Sequence, residues 1–140
     1  MSIGEEGIRD LLIEIGQDPE REGIVDTPMR VVKAMKEMTV GYNQSPKEIL
    51  CRQFEGDDYD DLVIVRGIRF SSLCEHHLLP FIGTCAVGYL PKRKVVGLSK
   101  LPRLVECYSK RLQLQERMTR QIANAVMIHL VPRGVGVYVQ

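Results

Sequence analysis

Cysteine, glutamate and two histidines stand side by side in one pentapeptide, Leu73-Cys74-Glu75-His76-His77. The three-residue step from Cys74 to His77 lets a thiolate and an imidazole meet one metal ion from a tight turn, and this ligand pair suits Zn²⁺. Glu75 and His76 then remain for proton transfer or for orienting a ligand. The alternative is a surface turn with two solvated histidines and a buried cysteine. A zinc site needs at least one more protein ligand, which the spacing does not supply.

A second candidate lies at a predicted helix start, in the segment 97–103. Ser99 is placed to cap this helix, and Pro102 falls in its first turn, where a missing N–H breaks no intrahelical bond. Free backbone amides, the positive end of the helix dipole, Lys100 and Arg103 together make an anion site that suits phosphate. The alternative is an ordinary capped helix with two solvated bases.

Two further polar residues are ambiguous from their surroundings alone. Glu116 opens a predicted helix, where a carboxylate complements the dipole. It is equally suited to accept paired N–H donors from a guanine-like ring edge, and nothing local decides between the two roles. His129 lies on an apolar helix face, which favours a core histidine over a ligand.

Helical patterns occupy the first third of the chain. An amphipathic helix that ends at Gly16 is predicted by apolar residues at helical spacing, namely Ile8, Leu11, Leu12 and Ile15. Segment 26–28 indicates a second helix with Thr27 as its cap, and segment 45–48 is a capping box for a short third helix. The acidic run 55–61 predicts a solvated loop.

Short β-rich runs follow, at 62–65, 68–70 and 84–90. Segment 91–94 is predicted to be a hairpin-like connection into Val95-Val96. Two amphipathic helices come next, with apolar faces at Leu101, Leu104, Val105 and Tyr108, and at Met118, Ile122, Ala125 and Val126. Alternating valines predict a final strand at 135–139. This order predicts an α+β domain with helices packed on an antiparallel sheet.

Composition narrows the class of protein. The chain has 140 residues and balances 19 basic against 18 acidic residues, for a net charge of +1. This balance argues against nucleic-acid binding and against a polybasic membrane anchor. Four widely spaced cysteines do not match a secreted disulfide framework. With no apolar run of membrane-spanning length and no signal peptide, these features predict a soluble, cytoplasmic domain.

The chain resembles the GTP cyclohydrolase I family over essentially its whole length. The similar segments occur in the family's order, at 18–31, 72–77, 97–100 and 109–119. The resemblance implies a tunnelling fold (T-fold), with an N-terminal helical extension over residues 1–55 and a catalytic domain over 56–140. It implies that GTP and water give formate and 7,8-dihydroneopterin triphosphate, at the entry to folate, biopterin or deazapurine synthesis. It also implies a homo-oligomer, in which pentamers pair into a decamer.

Roles follow residue by residue from this resemblance. Cys74 and His77 resemble two zinc ligands, and His76 resembles an active-site histidine near the reacting ring. The remaining matches are with a guanine pocket, at Gln115 and Glu116, and with ribose and triphosphate contacts, at Ser99, Lys100, Arg103 and Arg30.

The sequence departs from the family pattern after Tyr138. There the family continues with a His-x-Cys stretch, an Arg-Gly segment and a closing strand, whereas this sequence ends at Gln140. The third zinc ligand, a second catalytic histidine and a further arginine are therefore expected to be lacking. Two alternatives to an active cyclohydrolase stay open: a catalytically inactive structural or regulatory subunit, and a T-fold nitrile reductase of queuosine synthesis.

Overall fold

The computed structural model describes residues 1–56 and 59–140 and divides the chain into two compact units, Met1–Thr39 and Val40–Gln140. Within the loop predicted over 55–61, Asp57 and Asp58 lie outside the described residues. The predicted boundary between helical extension and catalytic domain, after residue 55, stays a prediction.

The N-terminal unit consists of two helices, α1 (Ile3–Glu14) and α2 (Thr27–Met38). A reciprocal capping box between Ser2 and Glu5 begins α1, and Gly16 follows its end with φ +83°, a conformation that glycine adopts without strain. The expectation that Thr27 caps α2 is wrong, because Thr27 is already helical and the cap position belongs to Asp26.

The C-terminal unit begins with a 3₁₀ turn (Val40–Asn43) and α3 (Pro46–Ile49). The predicted capping box of α3 is confirmed in one of its two hydrogen bonds, since the Ser45 hydroxyl accepts the Glu48 N–H at 3.4 Å. A small antiparallel sheet then pairs β1 (Gln53–Glu55) with β4 (Lys94–Val96).

The main sheet has four strands in the order β5-β2-β3-β6. It contains β2 (Val63–Cys74), β3 (Pro80–Leu90), β5 (Leu112–Gln113) and β6 (Gly134–Val139). The β2–β3 and β3–β6 pairs are antiparallel, whereas β5 runs parallel to β2. The two runs predicted at 62–70 are one long strand, irregular between Val65 and Ile68, where Gly67 has φ +71°.

The predicted hairpin-like connection from β3 into β4 is wrong. Both edges of β3 are already occupied, by β2 and by β6, so the backbone groups of β4 pair with β1 instead. The Tyr89 hydroxyl accepts the Val96 N–H at 2.9 Å and so links the end of β3 to β4.

Two helices, α4 (Lys100–Ser109) and α5 (Gln115–Leu130), complete the C-terminal unit. Their predicted apolar faces are buried together with one face of β3, at Cys85, Val87 and Tyr89. The α+β class expected from the sequence is therefore confirmed. Within the described part of the chain, no helix is long and apolar enough to cross a membrane.

Candidate active site

The reactive pentapeptide spans the end of β2 and the start of the loop that joins β2 to β3, called here the hairpin loop (residues 75–79). Cys74 closes the loop with two backbone hydrogen bonds of 2.8 Å, one to each of Leu78 and Leu79. Leu78 adopts the left-handed conformation, with φ +59°, which turns the chain back into β3. This short closure holds the side chains of Cys74, His76 and His77 on one turn.

His76 and His77 are both exposed, but their nearest partners differ. The Nδ1 atom of His76 lies 4.0 Å from the Cys74 sulfur, and its Nε2 atom lies 4.0 Å from a carboxylate oxygen of Glu75. Nδ1 of His77 accepts the Leu79 N–H at 3.2 Å. His76 is therefore free to meet a ligand, whereas one nitrogen of His77 is already engaged.

Cys74 and His77 are of the residue types that bind zinc, but two ligands are too few for a catalytic zinc site. Thiolate and imidazole are ligands that zinc prefers, and a catalytic zinc takes three protein ligands. Nowhere among residues 1–56 and 59–140 do three or more His, Cys, Asp or Glu side chains form a group that could hold a metal ion. With Nδ1 of His77 engaged, only its Nε2 remains for ligation, and in the neutral ring that nitrogen carries the hydrogen.

Glu75 ties the hairpin loop to α5. Both guanidinium nitrogens Nη1 and Nη2 of Arg117 donate to its carboxylate, the latter at 2.7 Å. These hydrogen bonds hold the pKa of Glu75 below its ordinary value and raise the pKa of Arg117. Glu75 is therefore an ionised anchor and not an acid that donates a proton.

The first turn of α5 presents Gln115 and Glu116 to an open cleft of about 460 Å³. Thr119 and Arg120 of α5 and Tyr138 of β6 line the same cleft. Leu114 occupies the cap position and supplies no side-chain hydrogen bond, so the free amides of this turn are complemented by the Glu116 carboxylate.

The first turn of α4 places two cations at the surface. Lys100 and Arg103 line a cleft of about 520 Å³ beside Asn43 and Gln44. Arg103 also faces a second cleft, of about 490 Å³, along β2. The predicted capping role of Ser99 is wrong, because its backbone is already helical (φ −63°, ψ −14°) and its side chain makes no cap hydrogen bond.

The predicted site residues thus fall into separate groups. The hairpin loop and the start of α5 are joined by the Glu75–Arg117 pair. Among the described residues, no hydrogen bond or ion pair joins either of them to Ser99, Lys100 or Arg103. Arg30 lies on α2 in the N-terminal unit, where its guanidinium donates to Asp26 at 3.0 Å.

Comparison with known proteins decides the family. The family model described as GTP cyclohydrolase I matches residues 4–140. The chain belongs to the GTP cyclohydrolase I family.

Individual relatives agree with this family membership. GTP cyclohydrolase 1 of Synechococcus sp. (strain JA-2-3B'a(2-13)) is 55% identical over 95% of this chain, and that of Gloeobacter violaceus is 53% identical over 96%. The chain spans 58% and 63% of the lengths of these two proteins. The enzyme of Campylobacter concisus is 52% identical over 97% of this chain, which spans 72% of its length.

Among solved structures, the apo form of the archaeosine synthase QueF-Like matches with a TM-score of 0.52 and 24% sequence identity. The match covers 56% of this chain and 77% of that one. At this identity the likeness shows the fold alone, and it confirms the T-fold expected from the sequence.

In this member of the family, two residues outside the predicted set hold the site together. Arg117 binds Glu75, and Gln113, which is 1% exposed, accepts the Glu75 N–H at 3.1 Å through its carbonyl. Arg117 follows Glu116 directly in the sequence, yet nothing local distinguishes it from a solvated arginine. Gln113 gave no clear signal either, because the short strand β5 that buries it was not predicted from the sequence.

Proposed function

We propose that this protein is a GTP cyclohydrolase I, which opens the imidazole ring of the guanine of GTP and releases formate and 7,8-dihydroneopterin triphosphate. The observation that carries the proposal is the docking of the Cys-Glu-His-His segment, where β2 ends and the hairpin loop begins, onto the first turn of α5 through Glu75 and Arg117. Family membership over residues 4–140 supports the same activity.

We assign substrate recognition to the first turns of α4 and α5. Glu116 lies in an open cleft, where its carboxylate would accept paired N–H donors from the guanine edge, with Gln115 beside it. Lys100 and Arg103 would hold the triphosphate with Ser99, because guanidinium and ammonium groups at a helix N-terminus attract phosphate. Arg30 joins this phosphate set in the proposal.

His76 is assigned the proton transfer. Its imidazole is exposed and lies next to Cys74 and Glu75 on a loop that is held rigidly at both ends. A proton donated to N7 of the guanine ring would make C8 more electrophilic toward water, and general acid catalysis of this kind contributes about 10²–10⁴-fold.

Cys74 and His77 are the residues that would hold a zinc ion, together with at least one further ligand. Zinc held there would supply the Lewis acidity that makes water a nucleophile near neutral pH. To ligate a metal as a neutral imidazole through either ring nitrogen, His77 must give up its hydrogen bond from the Leu79 N–H.

The proposal includes a cytoplasmic homo-oligomer in which pentamers pair into a decamer. The sheet face opposite the helices supports self-association, because it exposes large apolar side chains at Ile64 (55%), Ile82 (82%) and Tyr138 (65%). Burying such a face against copies of the same chain would remove it from water.

A catalytically inactive subunit is the second candidate. It is favoured by one observation, the lack of a third metal-binding group near Cys74 and His77 among the described residues. Such a subunit would bind nucleotide at the same clefts without releasing formate.

Formate release from GTP, measured together with zinc content, tests the proposal. We expect the purified protein to release formate and to contain stoichiometric zinc, and Cys74→Ser to abolish both. Cys51→Ser is the matched control, because Cys51 is exposed and lies outside the site. Formate release retained in Cys74→Ser would contradict the metal assignment, whereas a folded wild type that binds GTP without releasing formate would favour the inactive subunit.

A further inference from the structure

Gln113 carries the one buried side-chain oxygen or nitrogen that lacks a hydrogen-bond partner among the described residues, its Oε1 atom. Its Nε2 atom donates to the Tyr108 carbonyl and to Oε1 of Gln121, both at 2.8 Å. Both hydrogens of the amide are therefore used. Exchanging its oxygen and nitrogen would set Oε1 against the carbonyl oxygen of Tyr108, so the orientation of the amide is fixed and Oε1 stays unpaired.

The backbone of the same residue holds the hairpin loop. The Gln113 carbonyl accepts the Glu75 N–H at 3.1 Å, and Gln113 pairs with Cys74 where β5 runs parallel to β2. Gln113 thus contacts the end of α4 through Tyr108, the body of α5 through Gln121, and the loop through its backbone.

The unpaired oxygen argues that this glutamine does more than fill the core. A buried acceptor without a partner destabilises the folded state, and an apolar side chain of the same shape would remove that penalty. The amide offers in return two directed hydrogen bonds, to Tyr108 and Gln121, which fix β5 between the two helices. Because β5 pairs with the end of β2 at Cys74 and accepts the Glu75 N–H, its position bears on both residues.

We infer that Gln113 is a positioning residue for the candidate active site. Its side-chain amide fixes β5 against α4 and α5, and its backbone then holds the hairpin loop against the start of α5. The link to catalysis rests on the proposed function, whereas the link to the loop's position does not.

Two variants and one matched control test this inference. Gln113→Met keeps the length of the side chain and removes the amide, and Gln113→Glu keeps its shape but removes both donated hydrogens. Gln53→Met is the control, because Nε2 of Gln53 likewise donates two hydrogen bonds, in its case to the backbone carbonyls of Leu50 at 3.0 Å and His129 at 2.8 Å, away from the hairpin loop.

Backbone hydrogen exchange of residues 73–79 is the readout that is independent of activity. We expect exchange in this segment to be about fivefold to tenfold faster in both Gln113 variants, the change that loss of one net hydrogen bond gives. We expect no such change in Gln53→Met at matched global stability. In formate release, the Gln113 variants should lower kcat about tenfold or more and change KM for GTP less than about threefold.

Unchanged exchange of residues 73–79 in a folded Gln113 variant would overturn the inference, as would an equal acceleration in Gln53→Met. Gln121→Met removes the partner and leaves Gln113 in place, so it provides the same test if both Gln113 variants fail to fold. If exchange accelerates but the wild type releases no formate, the positioning role stands and the proposed activity fails.

Discussion

Arg117 binds the Glu75 carboxylate with both terminal nitrogens of its guanidinium, and this pair joins residues 42 positions apart in the chain. The two-pronged geometry fixes the direction of the carboxylate as well as its distance. Because Glu75 precedes His76, and Arg117 follows Glu116, the pair sets the loop that carries the proposed proton donor relative to the proposed guanine-binding residue. We therefore expect loss of this pair to lower the activity of the protein more than its stability.

Arg117→Ala should lower kcat/KM for formate release about tenfold or more, because the hairpin loop loses its side-chain contact with α5. Arg117→Lys should restore only part of the activity, since an ammonium cannot make the paired contact. Arg133→Ala is the control, because it removes another exposed ion pair, to Asp60 at 2.9 Å, and should leave the rate unchanged. Equal losses in the two alanine variants would contradict the positioning role.

Arg103→Ala should weaken GTP binding about tenfold to a hundredfold, the loss typical of a charged hydrogen bond to phosphate. Guanosine, which has no phosphate, should bind equally well to the variant and the wild type in calorimetric titrations. Arg66→Ala changes an exposed arginine of β2 that lines neither α4 cleft, and it should have no effect. The assignment fails if guanosine binding falls as much as GTP binding.

Gly41→Ala should destabilise the C-terminal unit by about 1–3 kcal/mol, the range for overpacking a closed site. A Cβ at this position would overlap the Cys107 carbonyl and lie 2.6 Å from that of Lys110, and neither backbone group can move freely. Gly136→Ala is the control, since a Cβ there meets nothing within 4 Å. Urea unfolding measures both variants, and similar midpoints for the two would show that the contact relaxes without penalty.

The buried thiol of Cys85 predicts that the free energy of unfolding depends on pH in the alkaline range. Burial raises the pKa of its thiol to about 11 from an ordinary value of 9.0. The folded protein therefore keeps a proton that the unfolded chain loses above about pH 9, so this thiol lowers stability as the pH rises from about 9 to about 11. Cys85→Ala should flatten the fall of the unfolding free energy over that range, whereas Cys51→Ala, at an exposed site, should leave the slope unchanged.

Local periodicity was sufficient to predict the buried faces of α4 and α5, whereas the predicted apolar face of α1 contains no buried residue. Leu101, Leu104 and Val105 are fully buried, as the helical spacing indicates, and the valines of β6 alternate as predicted. The length of β2 was not predictable, because Arg66 and Gly67 separate the two runs predicted at 62–65 and 68–70. The charge of Arg66 is tolerated within the strand because its position is exposed to solvent.

The sequence indicated the types of residue in the candidate site, but not the contacts between them. Cys74, His76 and His77 were proposed from their chemistry and Glu116 from the family resemblance, but the Glu75–Arg117 pair depends on the fold bringing two distant segments together. Ser99 occupies the cap position of α4, but its backbone is helical and its side chain makes no cap hydrogen bond, which the residue type alone does not reveal.

The parallel pairing of β5 with β2 has a consequence for the order of folding. Leu73 pairs with Pro80, seven residues away, and also with Leu112, 39 residues away. The loss of chain entropy on closing the longer loop costs about 1.5 kcal/mol more than on closing the shorter one. We therefore expect the β2–β3 hairpin to form before β5 docks. At that stage the turn of the hairpin loop has formed, but β5 does not yet hold its reactive groups in position. Catalytic competence should then be acquired in the last kinetic phase of refolding, after most of the secondary structure has formed.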